Sequence, residues 1–196
     1  MGKILENLYL TLGIGVILAV LLMLEPSYGL APGASDRAIG IFQWLHVFFG
    51  ITWIGLLYYF NFVQIPTMPK VPAELKPGIS KHIAPAALFW FRWSALATVI
   101  LGLLVAETSQ GGYSARALTL SEGYETIGIG MWLGLIMAAN VWFVIWPNQK
   151  KALGIVPAED SAKARAASVA MMASRTNLIL SIPMLYCMVA QTHIGG

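Results

Sequence analysis

The stretch IGIFQWLHVFFGITWIGLLYYFNFV, residues 39–63, decides how this chain is read. Its 25 residues include no Asp, Glu, Lys or Arg. At about 1.5 Å rise per residue, a helix of that length exceeds the ~30 Å hydrocarbon core of a bilayer. Polar side chains are costly in such a setting, so His46 and Asn61 are the first residues to question.

Working outward, four more apolar runs appear, at about residues 4–24, 84–106, 126–146 and 177–191. Hydrophobic residues make up 58% of the chain, charged residues 11%, and the mean hydropathy is +0.71. A soluble domain of this size carries roughly 25% charged residues. The expectation is an all-α integral membrane bundle of five transmembrane helices, forming a single domain over residues 1–196. The breaks between runs fit that count. Glu25-Pro26 ends the first, and a loop at 27–37 follows. Pro66, Pro69, Pro72 and Pro77 lie within 64–81, which predicts a stiff, mostly non-helical loop. Gly111-Gly112 and Pro147-Asn148 mark the next two breaks. Pro157-Ala158-Glu159-Asp160 opens an Ala-rich helix that runs into the fifth span, with acids in its first turn followed by Lys163 and Arg165. Residues 8–24 outlast the apolar core of a signal peptide and lack a cleavage site, so they read as a retained span.

Loop charge sets the orientation. With the N-terminus inside, Lys3, Lys70, Lys76, Lys81, Lys150, Lys151, Lys163, Arg165 and Arg175 are cytoplasmic, and only Arg37 and Arg116 lie outside. Five spans then bring the C-terminus out. A bacterial inner (cytoplasmic) membrane is the expected location, with the lipid bilayer as first partner and self-association into a homo-oligomer an open option. The basic residues form no stripe interleaved with aromatics, so no nucleic-acid partner is expected. A single cysteine, Cys187, excludes an intrachain disulfide and argues against a thiolate metal site. No GxGxxG, P-loop, HExxH or CxxCH occurs.

His46 shares a helical face with Gly50, Trp53 and Leu57, and more loosely with Asn61. A histidine with a glycine one turn deeper suits a flat macrocycle: imidazole binds the iron, and the missing side chain leaves room for the ring. The competing reading is a histidine bonded to a neighbouring helix. His46 is the candidate metal ligand of a b-type haem, with Gly50, Trp53, Arg92 and His193 as candidate cofactor contacts. His193 would lie on the same side of the membrane. Arg92, deep in the third run, either ties helices together or receives an anionic group, such as a haem propionate or a substrate oxygen. Asn61, Asn140 and Asn177 lie at comparable depth and are the candidate substrate-binding residues, expected in contact with Arg92. Gly50, Gly55, Gly102, Gly130 and Gly134 should face other helices or a ligand.

Several of these stretches resemble a known family. Trp44-Leu45-His46, Gly50-Ile51-Thr52-Trp53-Ile54-Gly55 and Tyr59-Phe60-Asn61-Phe62 are similar to the urate oxidase N-terminal domain family. So are Phe91-Arg92-Trp93, Gly130-Met131-Trp132-Leu133-Gly134, Asn140-Val141-Trp142, Trp146-Pro147-Asn148-Gln149-Lys150-Lys151, Ser174-Arg175-Thr176-Asn177 and Ser181-Ile182-Pro183-Met184. The family comprises the membrane domain of bacterial cytochrome-c-coupled urate hydroxylases. The resemblance implies oxidation of a purine with electrons delivered to a c-type cytochrome. Full-length members continue into further spans and a cytochrome c domain. Residues 1–196 contain no CxxCH, so the expected electron acceptor is a separate c-type cytochrome or respiratory complex. The His46 segment also resembles haem-binding bacterial protoporphyrinogen oxidases and copper-resistance membrane proteins. Three readings follow: a haem-bearing redox protein of the urate hydroxylase type, a non-catalytic transmembrane subunit of a respiratory or transport complex, and a haem-dependent protoporphyrinogen oxidase.

Overall fold

The computed structural model describes residues 2–24 and 34–193, and every regular element among them is helical. They fall into two units, Met1–Ile41 and Phe42–Gly196.

In the first unit, helix α1 (Leu8–Leu24) follows a single turn, Gly2–Leu5. Asn7 caps it: its Oδ1 accepts from the N–H groups of Tyr9 and Leu10 at 3.0 and 3.2 Å. The helix is apolar all round and buries no residue. Its 17 residues rise about 25 Å, somewhat less than the hydrocarbon core.

The second unit is built from α2 (Ala34–Tyr58), which begins in the first, α3 (Ala84–Ser109), α4 (Tyr113–Leu118), α5 (Glu125–Asn140), α6 (Trp146–Ala152) and α7 (Asp160–His193). Three continuous helical stretches, Arg37–Lys70, Lys76–Ser109 and Glu125–Ala152, are long and apolar enough to cross a membrane. Helix α7 is longer, at 34 residues, and more polar. Its buried stripe is Ala166, Ala170, Ser174, Asn177, Ser181, Met184, Cys187 and Ala190. Small residues at helical spacing let neighbouring backbones approach where lipid offers no hydrophobic drive.

The prolines correct one expectation. Of residues 64–81, only 71–75 leave the helical path. Pro66, Pro69 and Pro77 sit in the first two positions of new helical turns, where a missing N–H costs little. Pro85 and Pro147 do the same for α3 and α6. Three widened π-helical turns, Tyr59–Gln64, Ile79–Ile83 and Val141–Ile145, each end two residues before a proline, Pro66, Pro85 and Pro147. A proline ring clashes with the carbonyl four residues back. Widening the turn at that carbonyl lets the helix continue.

The core is a layer of side chains from four stretches. Trp53, Leu57 and Phe60 repeat at i, i+4, i+7; Leu88, Phe91 and Ala95 at i, i+3, i+7; Met137, Val141 and Ile145 at i, i+4, i+8. Met184 of α7 completes it. Phe60 meets Phe91 edge to face at 5.7 Å.

Candidate functional site

Above that layer α2, α3, α5 and α7 leave a largely apolar cavity of about 780 Å³. The volume lies within the roughly 300–1,000 Å³ of ligand pockets. His46, Gly50, Trp53 and Gly55 contribute from α2, Thr98 and Gly102 from α3, Met131 and Gly134 from α5, and Met184, Met188 and Gln191 from α7. His46, Gly50 and Trp53, expected together, do share this wall.

His46 Nδ1 lies 2.8 Å from the carbonyl oxygen of Thr98. A carbonyl can only accept, so Nδ1 carries the proton and the neutral ring keeps its lone pair on Nε2. This is the arrangement of metal-binding imidazoles, in which the second nitrogen is tied to a carbonyl or carboxylate. The contact depends on Gly102. A Cβ there would come within 2.8 Å of His46 Cε1 and 3.0 Å of Nδ1. Gly50 is less tightly held, since a Cβ there would meet only Thr98 Cγ2, at 3.8 Å. The histidine is therefore both bonded to a neighbouring helix and exposed to a cavity. Gly55 and Gly134 open onto free space in the same wall, and Gly130 backs onto Cys187, since a Cβ added at Gly130 would lie 2.9 Å from Cys187 Cβ.

The cavity rim is held by polar caps. Gln191 Oε1 accepts from the N–H of Ile127, in the first turn of α5, at 3.3 Å. Glu107 accepts from the N–H groups of Gly112 and Ser114 at 3.2 and 3.1 Å, which fixes the start of α4 and thereby Tyr113. Burial, and then the neighbouring Tyr124, push the Tyr113 phenol above the ordinary tyrosine range. Tyr113 and the methionines Met131, Met184 and Met188 are lining residues that sequence reasoning passed over. The only signal for them is the i, i+4 spacing of Met184 and Met188, which equally suits a core stripe. Each thioether is a further haem-ligand type. The side chain of His193 lies outside the described residues. Among the described residues no three His, Cys, Asp or Glu side chains gather. Any metal bound at His46 must bring most of its own donors, as a porphyrin does.

The asparagines form a separate layer, outside the cavity wall. Asn140 Nδ2 donates to Asn177 Oδ1 at 2.7 Å and to the Ala173 carbonyl at 2.9 Å. Asn177 Nδ2 donates to the Met137 carbonyl at 3.0 Å, so α5 and α7 are tied reciprocally. Asn61 Nδ2 donates to the Leu57 carbonyl and to Ser174 Oγ, both at 2.9 Å. Its Oδ1 is buried without a partner. Ser181 Oγ donates to Leu178 O at 2.8 Å, so Tyr58 OH is the donor in its 3.3 Å contact with Ser181. These amides spend most of their capacity on joining helices.

Arg92 does not join them. Among the described residues it makes no hydrogen bond to Asn61, Asn140 or Asn177. Its guanidinium instead lies over Trp146, 3.9 Å from the ring centroid, and 5.4 Å from that of Phe89. Asn140 and Asn177 bond to each other and Asn61 bonds to Ser174, while an aromatic face takes the cation. Arg92 is not part of the cavity wall, so the structure separates it from His46.

No curated protein and no solved structure matches the chain. A family model, urate oxidase N-terminal, matches residues 111–195. That segment contains α4 to α7, and with them Tyr113, Met131, Met184, Met188 and the Asn140–Asn177 tie. It does not reach His46 or Arg92. Over residues 111–195 the chain is thus similar to the urate oxidase N-terminal family, the family its motifs resemble.

Proposed function

We propose that this chain is the membrane domain of an oxidoreductase acting on urate or a related purine, with a b-type haem held at His46 and a separate c-type cytochrome as electron acceptor. The family match over residues 111–195 supports the substrate class. The observation that carries the cofactor reading is the 2.8 Å bond from His46 Nδ1 to Thr98 O, which leaves Nε2 as the basic nitrogen of a residue lining a 780 Å³ cavity. Haem, when bound, supplies one-electron chemistry. The chain's own residues hold and orient. Thr98 fixes the imidazole tautomer, Gly102 gives the ring its seat, and Trp53, almost fully buried, lines the same cavity. Three apolar stretches, together with α1 and α7, make five crossings, and the distribution of loop charge favours the N-terminus inside the bacterial inner membrane.

The test is a reduced-minus-oxidised spectrum of protein purified from haem-replete cells, followed by urate-dependent reduction of added cytochrome c. The expected result is a Soret band that His46→Ala removes or strongly shifts. A wild-type protein without haem, or an unaltered spectrum in His46→Ala, overturns the cofactor assignment. Haem binding with protoporphyrinogen turnover and no urate turnover overturns the substrate.

A further inference from the structure

At the first residue of α6 stands an arrangement that the cavity does not explain: two cations share one indole. Arg92 Cζ is 3.9 Å from the centroid of Trp146, and Lys150 Nζ is 5.7 Å from the same ring. Among the described residues neither cation has an acidic partner. The ion pair between Lys163 and Asp160 is the only one among the described residues. Arg92 makes no hydrogen bond there either, although guanidinium has five donors and stays charged. It sits in a helical stretch, Lys76–Ser109, of membrane-spanning length and composition. In that setting an unmatched guanidinium needs an acceptor. The ring face offsets part of its charge but none of its N–H groups.

We propose that Arg92, Trp146 and Lys150 form a binding site for the phosphate of an anionic phospholipid. Trp146 covers one face of the guanidinium and leaves the N–H edge to meet two phosphate oxygens side by side, the geometry in which arginine binds phosphate best. Lys150, one helical turn beyond Trp146, adds a second positive charge suited to a lipid with net negative charge. The surroundings fit acyl chains. Phe89, Trp90, Trp93 and Phe143 are exposed around the site, and Phe89, Trp93 and Trp142 are linked by successive ring contacts at 6.4 and 5.2 Å. Tryptophan belongs at the headgroup level of a bilayer. Lys70 and Lys76 bound the break between two helical stretches and Lys151 lies beside Lys150 near the end of a third, so the site is assigned to the basic helix ends of the bundle. Basic pockets between helices at that end are where acidic headgroups bind. A haem propionate is the wrong ligand here, because Arg92 is absent from the wall that His46 lines.

Native mass spectrometry of the full chain in mild detergent reads this directly. Wild-type protein should retain phosphatidylglycerol or cardiolipin in preference to phosphatidylcholine. Added phosphatidylglycerol should raise its thermal midpoint saturably, and inorganic phosphate at the same concentration should not. Each of Arg92→Gln and Lys150→Gln should weaken anionic-lipid binding roughly fivefold. Lys151→Gln, which removes a neighbouring charge that touches no ring, should leave it unchanged. If Arg92→Gln does not fold, Lys150→Gln and Lys151→Gln carry the comparison. Equal retention in Lys150→Gln and wild type, an equal loss in Lys151→Gln, or equal stabilisation by inorganic phosphate overturns the lipid site.

Discussion

Replacing Gly102 by alanine should disable the His46 seat without touching His46. The added Cβ would come within 2.8 Å of His46 Cε1 and 3.0 Å of Nδ1, closer than van der Waals contact allows. The ring must then swing away, which breaks the 2.8 Å bond to the Thr98 carbonyl. Hydrogen bonds between helices in a bilayer are worth about 0.6 kcal/mol on average and up to ~1.7. Overpacking a tight contact costs about 1–3 kcal/mol. Relief of one is achieved by loss of the other, so the two costs overlap, and the expected loss is about 1–2 kcal/mol. That corresponds to a roughly 5- to 30-fold shift in the folding equilibrium. Gly50→Ala is the matched control. It adds the same methyl group one helix away, where the nearest atom would be Thr98 Cγ2 at 3.8 Å, an ordinary contact. Unfolding of both variants in detergent, followed by circular dichroism against denaturant, should show Gly102→Ala clearly destabilised and Gly50→Ala within about 0.5 kcal/mol of wild type. Labelling the histidine ring with ¹⁵N should show Nδ1 losing its fixed proton in Gly102→Ala alone. If both variants match wild type in stability and in the Nδ1 signal, the seat does not exist as described.

The remaining predictions concern other parts of the molecule. With Cys187 replaced by alanine, cysteines introduced at Leu75 and Asp160 should be protected from impermeant reagents added to intact cells, and one at Ala115 should react; the reverse pattern inverts the topology. Asn140→Leu removes donations to Asn177 and Ala173 and should cost about 1–3 kcal/mol; a double-mutant cycle with Asn177→Leu should show coupling, and strict additivity would refute the tie between α5 and α7. Tyr113 should ionise above the ordinary tyrosine range, since burial raises it. The folded state then holds that proton more tightly than the unfolded chain, so its contribution is complete below pH ~10 and is lost as pH rises through the folded value. Phenolate absorbance should show a late-titrating tyrosine that Tyr113→Phe removes.

Much of this protein could be read without coordinates. The long uncharged run at 39–63 and its two strongest counterparts, at 84–106 and 126–146, specify helices long and apolar enough to span a membrane, because backbone groups in lipid must be satisfied within the segment. The same physics drew attention to His46, Arg92 and the asparagines, whereas the cap at Asn7 is seen only in the structure. What periodicity alone does not contain is the partner across the gap. Gly102, 56 positions from His46, is indistinguishable in sequence from any other glycine in an apolar run until α2 and α3 are laid together. The prolines of 64–81 read as loop formers, and only the widened turns ahead of them show how the helix is carried through. Depth along an apolar run does not say which groups face each other. Helix rotation decided that Asn140 pairs with Asn177, that Asn61 meets Ser174 and that Arg92 turns to Trp146. Composition and hydrophobic spacing, which are local properties, determined the class of fold and the residues worth asking about. The site itself was decided by how the helices rotate and approach, a matter of packing between residues far apart in the chain.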